Sequence, residues 1–172
     1  LHPYVFPSSP LAVTAEGSVI AGVLVDEGDG VFARAIVETT DGSSSRELWS
    51  DRGDPDPSRH MNGVYVGDDG LIYLAGWHRG APLWRGRDGD FQPFSGGLPA
   101  EVTSVLDVAF GPQGRIAVAT NRGVFASRDG ADFVDYSGET SVANSVVSVS
   151  FRQSAPADAQ LLPRVMGRRI LS

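Results

Sequence analysis

The amino-acid sequence predicts an all-β protein made of short antiparallel strands joined by tight turns. Its 172 residues include 21 glycines and 11 prolines, and no stretch has the period of a long amphipathic helix. Residues 105–136 show the pattern most clearly, because runs of alternating or β-branched residues are separated by turn residues such as Pro112, Asn121 and Gly130. This stretch therefore predicts a four-stranded antiparallel meander.

Two short patterns recur along the chain in the same order, which indicates an internal repeat. The first is a glycine before a hydrophobic strand, and the second is an Asp-Gly pair followed by an aromatic residue. The paired patterns begin at Gly17 and Asp41, at Gly70 and Asp88, and at Gly114 and Asp129. Repeats of about 40–50 residues with four strands each are typical of the blades of a β-propeller.

The repeat predicts a Pro-rich lead-in over residues 1–10 and a partial propeller over residues 11–172. The predicted blades cover residues 11–50, 61–96 and 105–137, with an incomplete copy at residues 144–172. About three and a half blades leave strand edges unpaired unless the ring closes. We therefore expect missing sequence, a second chain or a second copy to complete the ring. A closed four-bladed ring is the alternative, although the last copy lacks its Asp-Gly turn.

The composition argues against several classes of function. The net charge is −7, whereas a nucleic-acid surface needs clustered cations, so we expect no nucleic-acid partner. No apolar run approaches the roughly 20 residues of a membrane-spanning helix, so we expect no membrane span. The sequence contains no cysteine, which excludes disulfides and thiol chemistry.

Residues 127–133, which read SRDGADF, resemble the Asp-box or BNR repeat, whose pattern is Ser-x-Asp-x-Gly-x-x-Trp with variants. In this copy glycine directly follows aspartate, and phenylalanine stands in the aromatic place. Residues 88–91 form a shortened copy, and residues 39–49 form a degenerate one that ends in Trp49. The resemblance covers residues 11–151 and implies the propeller families with such boxes: sialidases, xyloglucan-cleaving glycosidases, sortilin-type receptors and photosystem II assembly-factor-like proteins.

The Asp-box residues are expected to serve folding and not catalysis. An aspartate in a tight turn accepts hydrogen bonds from the backbone of its own turn, and glycine adopts the positive φ that the turn needs. The aromatic residue then packs under the hairpin. We assign this structural role to Thr39, Asp41, Gly42, Asp88, Gly89, Phe91, Ser127, Asp129, Gly130 and Phe133.

The opposite end of the blades is the predicted binding face. Strands alternate in direction, so the turns after second strands share one end with the connectors between blades, and the resemblance implies that ligands meet that end. Its loops mix aromatic and oriented polar groups, as a binding surface requires. The candidate ligand-binding residues are Trp77, His78, Arg79, Asn121, Arg122 and Arg168.

Two features of that face suggest partner classes. Trp77 is the leading candidate because an aromatic face can stack on a sugar or pack against a partner chain, although it can also cap its own blade. Arg79, Arg122 and Arg168 occupy equivalent loops. On a closed ring they would converge near the channel mouth and favour an anionic partner.

The sequence contains only weak indications of a metal or cofactor site. Two acidic loops offer closely spaced carboxylates for Ca²⁺, but neither has the frame of an EF-hand loop, and short acidic loops are usually only solvated. The loops contain Asp26, Glu27 and Asp29, and Asp51, Asp54 and Asp56. The three histidines lack the spacing of a zinc site. We expect no cofactor, with Ca²⁺ as the remaining candidate.

Two functions from different classes are compatible with the sequence. The favoured one is a non-catalytic binding or scaffolding propeller that recognises a protein or glycan, with a secreted, periplasmic or cell-surface location. The alternative is a sialidase-like or xyloglucanase-like glycoside hydrolase, which needs two carboxylates at a defined separation. The Arg-Ile-Pro signature of sialidases is absent, and Arg115-Ile116-Ala117 resembles it only superficially. We assign no catalytic residue.

Overall fold

The computed structural model describes residues 11–52, 60–78, 81–94 and 96–136, together with residues 149–150 and 164–165. Within these ranges the regular structure is β-strand throughout, apart from one 3-10 turn at Pro112–Gly114. The all-β prediction is therefore confirmed. In the same ranges no helix has the length and hydropathy of a membrane span.

Three antiparallel four-stranded sheets follow one another along the chain. Sheet A contains β1 (Leu11–Val13), β2 (Val19–Gly28), β3 (Val31–Thr39) and β4 (Arg46–Ser50). Sheet B contains β5 (His60–Val66), β6 (Ile72–His78), β7 (Ala81–Arg87) and β8 (Asp90–Pro93). Sheet C contains β9 (Val105–Gly111), β10 (Arg115–Thr120), β11 (Gly123–Ser127) and β12 (Val134–Asp135). Each strand pairs with the one before it, so every sheet is a meander.

A fourth, short pair of strands follows sheet C. It consists of β13 (Val149–Ser150) and β14 (Arg164–Val165), which pair antiparallel. Strand β13 contacts β9 and β10 of sheet C. The series of sheets therefore continues beyond sheet C by at least one strand pair.

Alternation along each strand places successive side chains in different cores. In β6, Ile72 and Leu74 pack toward sheet A, while Tyr73 and Ala75 pack toward sheet C. The core between sheets A and B contains Ile20, Ile36, Leu48, Val64, Ile72, Leu74 and Phe91. The core between sheets B and C includes Tyr73, Leu83, Phe94, Val105, Val108, Ile116, Val118, Phe125 and Phe133. The sheets are therefore stacked face to face.

The first strands of successive sheets lie beside one another. Strand β1 contacts β5, β5 contacts β9, and β9 contacts β13. Each of these strands is also at the edge of its own sheet. The described strands form separate sheets and not a closed barrel.

Candidate functional site

The sheets have two ends, which carry different kinds of turn. The Asp-turn end contains the turns after first and third strands, including residues 40–45, 88–89 and 128–133. The connector end contains the turns after second strands, such as residues 121–122, and the connectors between sheets, such as residues 96–104. The predicted ligand-binding residues belong to the connector end.

Asn121 fastens the connector before sheet C to the turn between β10 and β11. Its Oδ1 accepts the backbone N–H groups of Thr103 (3.1 Å) and Ser104 (3.2 Å). Its Nδ2 donates to Thr103 Oγ1 at 3.0 Å, and its own backbone N–H donates to the Ser104 carbonyl. The Asn121 amide therefore fixes the position of the connector relative to the turn between β10 and β11.

Arg122 lies beside Asn121 on the exposed surface. Its backbone N–H donates to Oγ1 of Thr120, whose hydroxyl donates in turn to the Gly123 carbonyl. The side-chain Nε donates to the Glu101 carbonyl at 3.3 Å. Both bonds restrain the arginine, so the structure presents a positioned cation beside the connector.

A polar seam joins the first strands of sheets B and C. Asn62 Nδ2 donates to Ser104 Oγ (3.1 Å) and to the Val105 carbonyl (2.8 Å). Further along the seam, the Tyr65 hydroxyl donates to Asp107 Oδ1 at 2.9 Å. Burial, and secondarily the Asp107 carboxylate, raises the pKa of Tyr65. The phenol therefore stays protonated and acts as a hydrogen-bond donor.

The other predicted ligand-binding residues are only partly described. Trp77 and His78 are the last residues of β6, and their backbones lie at the connector end, opposite His60 and Ala81 respectively. Their side chains, together with Arg79 and Arg168, lie outside the described residues. Of the six candidates, Asn121 and Arg122, which are neighbours in the chain, are the two whose side chains the structure describes. The convergence of three arginines stays a prediction.

Two of the three Asp-box turns share one construction. Asp41 Oδ1 accepts the N–H groups of Ser43 (2.9 Å) and Ser44 (3.1 Å), and Thr39 Oγ1 accepts that of Gly42 (2.9 Å). The bonds from Ser44 and Ser43 lower the pKa of Asp41 to about 2.

The turn at Asp129 repeats this arrangement in sheet C. Asp129 Oδ1 accepts the Ala131 N–H (3.0 Å) and the Ser127 hydroxyl (3.1 Å). These two bonds, the Ala131 bond first, lower the pKa of Asp129. Gly42 and Gly130 take the positive φ values of 71° and 75° that follow each aspartate.

Asp88 has a different geometry. Arg87 pairs with Asp90, so Asp88 and Gly89 form a two-residue hairpin loop with φ values of 52° and 93°, the pattern of a type I′ turn. The Asp88 carboxylate pairs with Arg46 Nη2 at 2.9 Å, and the same nitrogen lies 2.7 Å from Glu38. Asp88 thus links sheet B to sheet A.

The aromatic residues after these turns pack inward. Phe91 is buried between sheets A and B, and Phe133 is buried between sheets B and C. Trp49 is half-buried against the first of these cores. Each of these aromatic residues therefore holds the turn that follows the third strand of its sheet against a hydrophobic core.

Three of the carboxylates proposed for Ca²⁺, those of Asp26, Glu27 and Asp51, have other partners. Asp26 Oδ1 accepts the Gly28 N–H at 2.8 Å, and Glu27 pairs with Arg52 at 3.1 Å. Asp51 Oδ1 accepts the Arg34 N–H at 2.6 Å, and its Oδ2 lies 3.3 Å from Arg34 Nη1. Asp54 and Asp56 lie outside the described residues, and the described part of the chain contains no group of three potential metal ligands.

Two described cavities lie at the Asp-turn end. The larger, about 690 Å³, opens between sheets A and B, and a smaller one of about 100 Å³ lies between sheets B and C. In the larger cavity Arg46 pairs with Glu38 and Asp88, and Arg87 Nη2 donates to the Asp69 carbonyl at 2.9 Å. Both of its arginines are therefore engaged by the cavity wall itself.

No protein-family model and no curated protein matches the chain. Sequence reasoning missed Tyr65 and Asp107, whose pairing joins residues 42 positions apart. No local sequence pattern links Tyr65, near the end of β5, with Asp107, near the start of β9.

Proposed function

We propose that the chain is a non-catalytic β-propeller module that binds a protein or a glycan with its connector end. The proposal rests on the contacts between the first strands of successive sheets: β1 contacts β5, β5 contacts β9, and β9 contacts β13. Four-stranded meanders whose first strands stand side by side are arranged like blades around a central axis. Further blades, from missing sequence, another chain or a second copy, complete the ring.

The connector end offers a pre-organised polar surface. Asn121 and Asn62 hold the connector and the first strands in place, so little conformational entropy remains to be lost on binding. Arg122 is restrained by the Glu101 carbonyl and exposed beside them. A guanidinium so placed suits a carboxylate, sulfate or phosphate group, because charge-assisted hydrogen bonds to such anions are strong. The preferred partner is therefore anionic.

Three described carboxylates at the connector end already have partners, which favours binding over glycoside hydrolysis. A glycoside hydrolase needs one carboxyl group as acid and a second as nucleophile or base. At the connector end, Asp51 and Glu27 pair with arginines, and Asp107 accepts the Tyr65 hydroxyl. The raised pKa of Tyr65 also disfavours a phenolate nucleophile. A secreted, periplasmic or cell-surface location stays a prediction.

Two exposed arginines at opposite ends of sheet C provide a matched test. Arg122 follows the second strand and Arg128 follows the third. We expect an array of anionic and neutral glycans, together with a peptide library, to yield a preferentially anionic ligand. Arg122→Ser should weaken that binding by about tenfold or more, because a charge-assisted hydrogen bond contributes roughly 1.5–3 kcal/mol. Arg128→Ser should leave it unchanged.

The opposite pattern would contradict the proposal. Loss of binding in Arg128→Ser alone would place the site at the Asp-turn end. Release of free sugar from sialylated or xyloglucan oligosaccharides by the wild-type chain would make it a glycoside hydrolase. Circular dichroism of both variants controls for folding.

A further inference from the structure

The cavity of about 690 Å³ between sheets A and B has an aliphatic floor and a charged rim. We call it the A–B cavity. It opens at the Asp-turn end, away from the connector end that the proposed function uses. Its aliphatic lining consists of Val13, Ile20, Leu48, Val66 and Ile72. Its charged lining contains five carboxylates, those of Glu16, Glu38, Asp68, Asp69 and Asp88, but only two guanidinium groups, those of Arg46 and Arg87. The lining therefore combines apolar surface with net negative charge.

Two aromatic rings occupy the equivalent place between sheets B and C. Tyr73 lies three residues after the turn glycine Gly70, and Phe110 pairs with Ile116 of the next strand. The centroids of the two rings are 4.9 Å apart, and both rings line the cavity of about 100 Å³ between these sheets. The aromatic pair therefore fills most of the space at this interface.

The A–B cavity has smaller, aliphatic residues at both of these repeat positions. Ile20 lies three residues after Gly17, and Val66 pairs with Ile72, as Phe110 pairs with Ile116. Both Ile20 and Val66 line the A–B cavity. A smaller side chain at a core position leaves space that its neighbours do not fill. The difference in volume between the two cavities therefore follows from the side chains that each interface places there.

The charge at the same place also differs between the two interfaces. Glu38 stands opposite Ile20 in sheet A, whereas Arg85 stands opposite Tyr73 in sheet B. Glu38 lines the A–B cavity, and Arg85 lines the smaller one. The A–B cavity is therefore more acidic than its counterpart as well as larger.

Two carboxylates on the rim of the A–B cavity have no partner. Arg46 is held by Glu38 at 2.7 Å and by Asp88 at 2.9 Å. Glu16 and Asp68 are exposed, and neither side chain has a hydrogen bond or an ion pair within the described part of the chain. They belong to the first turns of sheets A and B respectively. A ligand in the cavity therefore meets unpaired negative charge from both sheets.

We infer that the A–B cavity binds a small aliphatic polyamine, at a site separate from the connector end. Its carboxylates are too dispersed for one metal ion, because no three potential metal ligands come together in the described residues. A cation that reaches both free carboxylates must therefore carry several charges along a chain. Ammonium groups form charge-assisted hydrogen bonds with carboxylates, and methylene groups between them gain free energy from burial on the aliphatic floor.

Isothermal titration calorimetry of the 172-residue chain with spermidine tests the inference. We expect saturable binding of one spermidine per chain, which added salt weakens by screening the charges. The double variant E16Q/D68N should weaken binding by about tenfold, because it removes both free carboxylates. E101Q/D132N is the matched control: it removes the same charge from two exposed residues that do not line the cavity. This control should bind spermidine within about twofold of the wild-type chain.

A second variant tests the cavity without changing the charge. Val66→Phe introduces the aromatic ring that Phe110 supplies in the other interface, so it should fill the floor and weaken spermidine binding by about tenfold or more. Val134→Phe is its control, because Val134 is 60% exposed and does not line the cavity. Circular dichroism checks the fold of each variant. E16Q/D68N alters only exposed side chains, so it tests the inference even where Val66→Phe does not fold.

Four results would overturn the inference. The first is the absence of saturable binding up to about 1 mM spermidine. The second is an equal loss of binding in E16Q/D68N and E101Q/D132N, which would show attraction to the overall charge of −7 and not to the cavity. The third is unchanged binding in a folded Val66→Phe variant, which would place the ligand elsewhere. The fourth is binding of a trilysine peptide but not of spermidine, which would make the partner a polypeptide.

Discussion

Asp41 and Asp129 each accept N–H groups from two or three residues further along the chain. Backbone N–H groups aimed at a carboxylate favour its charged form, which lowers its pKa. A depressed pKa in the folded state means that ionisation stabilises the turn. The stabilisation is fully present above the unfolded pKa and is lost as the pH falls through the folded value.

We predict that the Asp41 carboxyl titrates near pH 2 in the folded chain, well below its ordinary value of 3.8, and that Asp129 also titrates below 3.8. Carbon-detected NMR titration of the two carboxyl groups measures both. The Asp41 turn should loosen between pH 3.8 and about 2. Asp41→Asn, which cannot titrate, identifies the signal. A midpoint for Asp41 at or above 3.8 would contradict the described hydrogen bonds.

At the scale of the element, the turn after a third strand is held by the aromatic residue that follows it. Phe133 lies edge-on to Phe94, with ring centroids 5.8 Å apart, and Phe94 contacts Tyr73 in the same way at 5.7 Å. The Phe133 N–H also donates to the Gly96 carbonyl at 3.1 Å. The hairpin of sheet C is therefore anchored to sheet B and to its connector.

Phe133→Ala should destabilise the chain strongly, since truncation of a buried phenylalanine costs about 3–5 kcal/mol. Val134→Ala alters the next residue, which is exposed, and should change the free energy of unfolding by no more than about 0.5 kcal/mol. Urea denaturation of the two variants measures the difference. Similar losses in both would show that Phe133 does not anchor the hairpin.

At the scale of the whole molecule, the sequence was most informative about strands and least informative about contacts between sheets. Alternating residues and turn glycines predicted the four-stranded units, because both reflect local backbone geometry. Asn121 and Thr103 are 18 residues apart in the sequence and come into contact only when the connector folds back. No local sequence pattern predicts that contact. The geometry of the Asp88 turn was also not predicted, because an Asp-Gly pair is compatible with a type I′ hairpin as well as with an Asp-box.

The stack of sheets also explains why Leu11 could not be singled out from the sequence. Leu11, Val64 and Val108 have the same hydrophobic character and the same place in the repeat. Val64 and Val108 each pack against a preceding sheet, whereas the described residues contain no sheet that precedes sheet A. Exposure is therefore a property of the assembled stack and not of the residue type.

A crystal structure of the purified 172-residue chain would show whether the three sheets belong to a closed ring of blades. We expect a ring in which another sheet covers Leu11 and Val13, so that Leu11 becomes as buried as Val64 and Val108 are now, at 3% and 5% exposure. An open stack in which Leu11 and Val13 remain exposed to solvent would contradict this expectation.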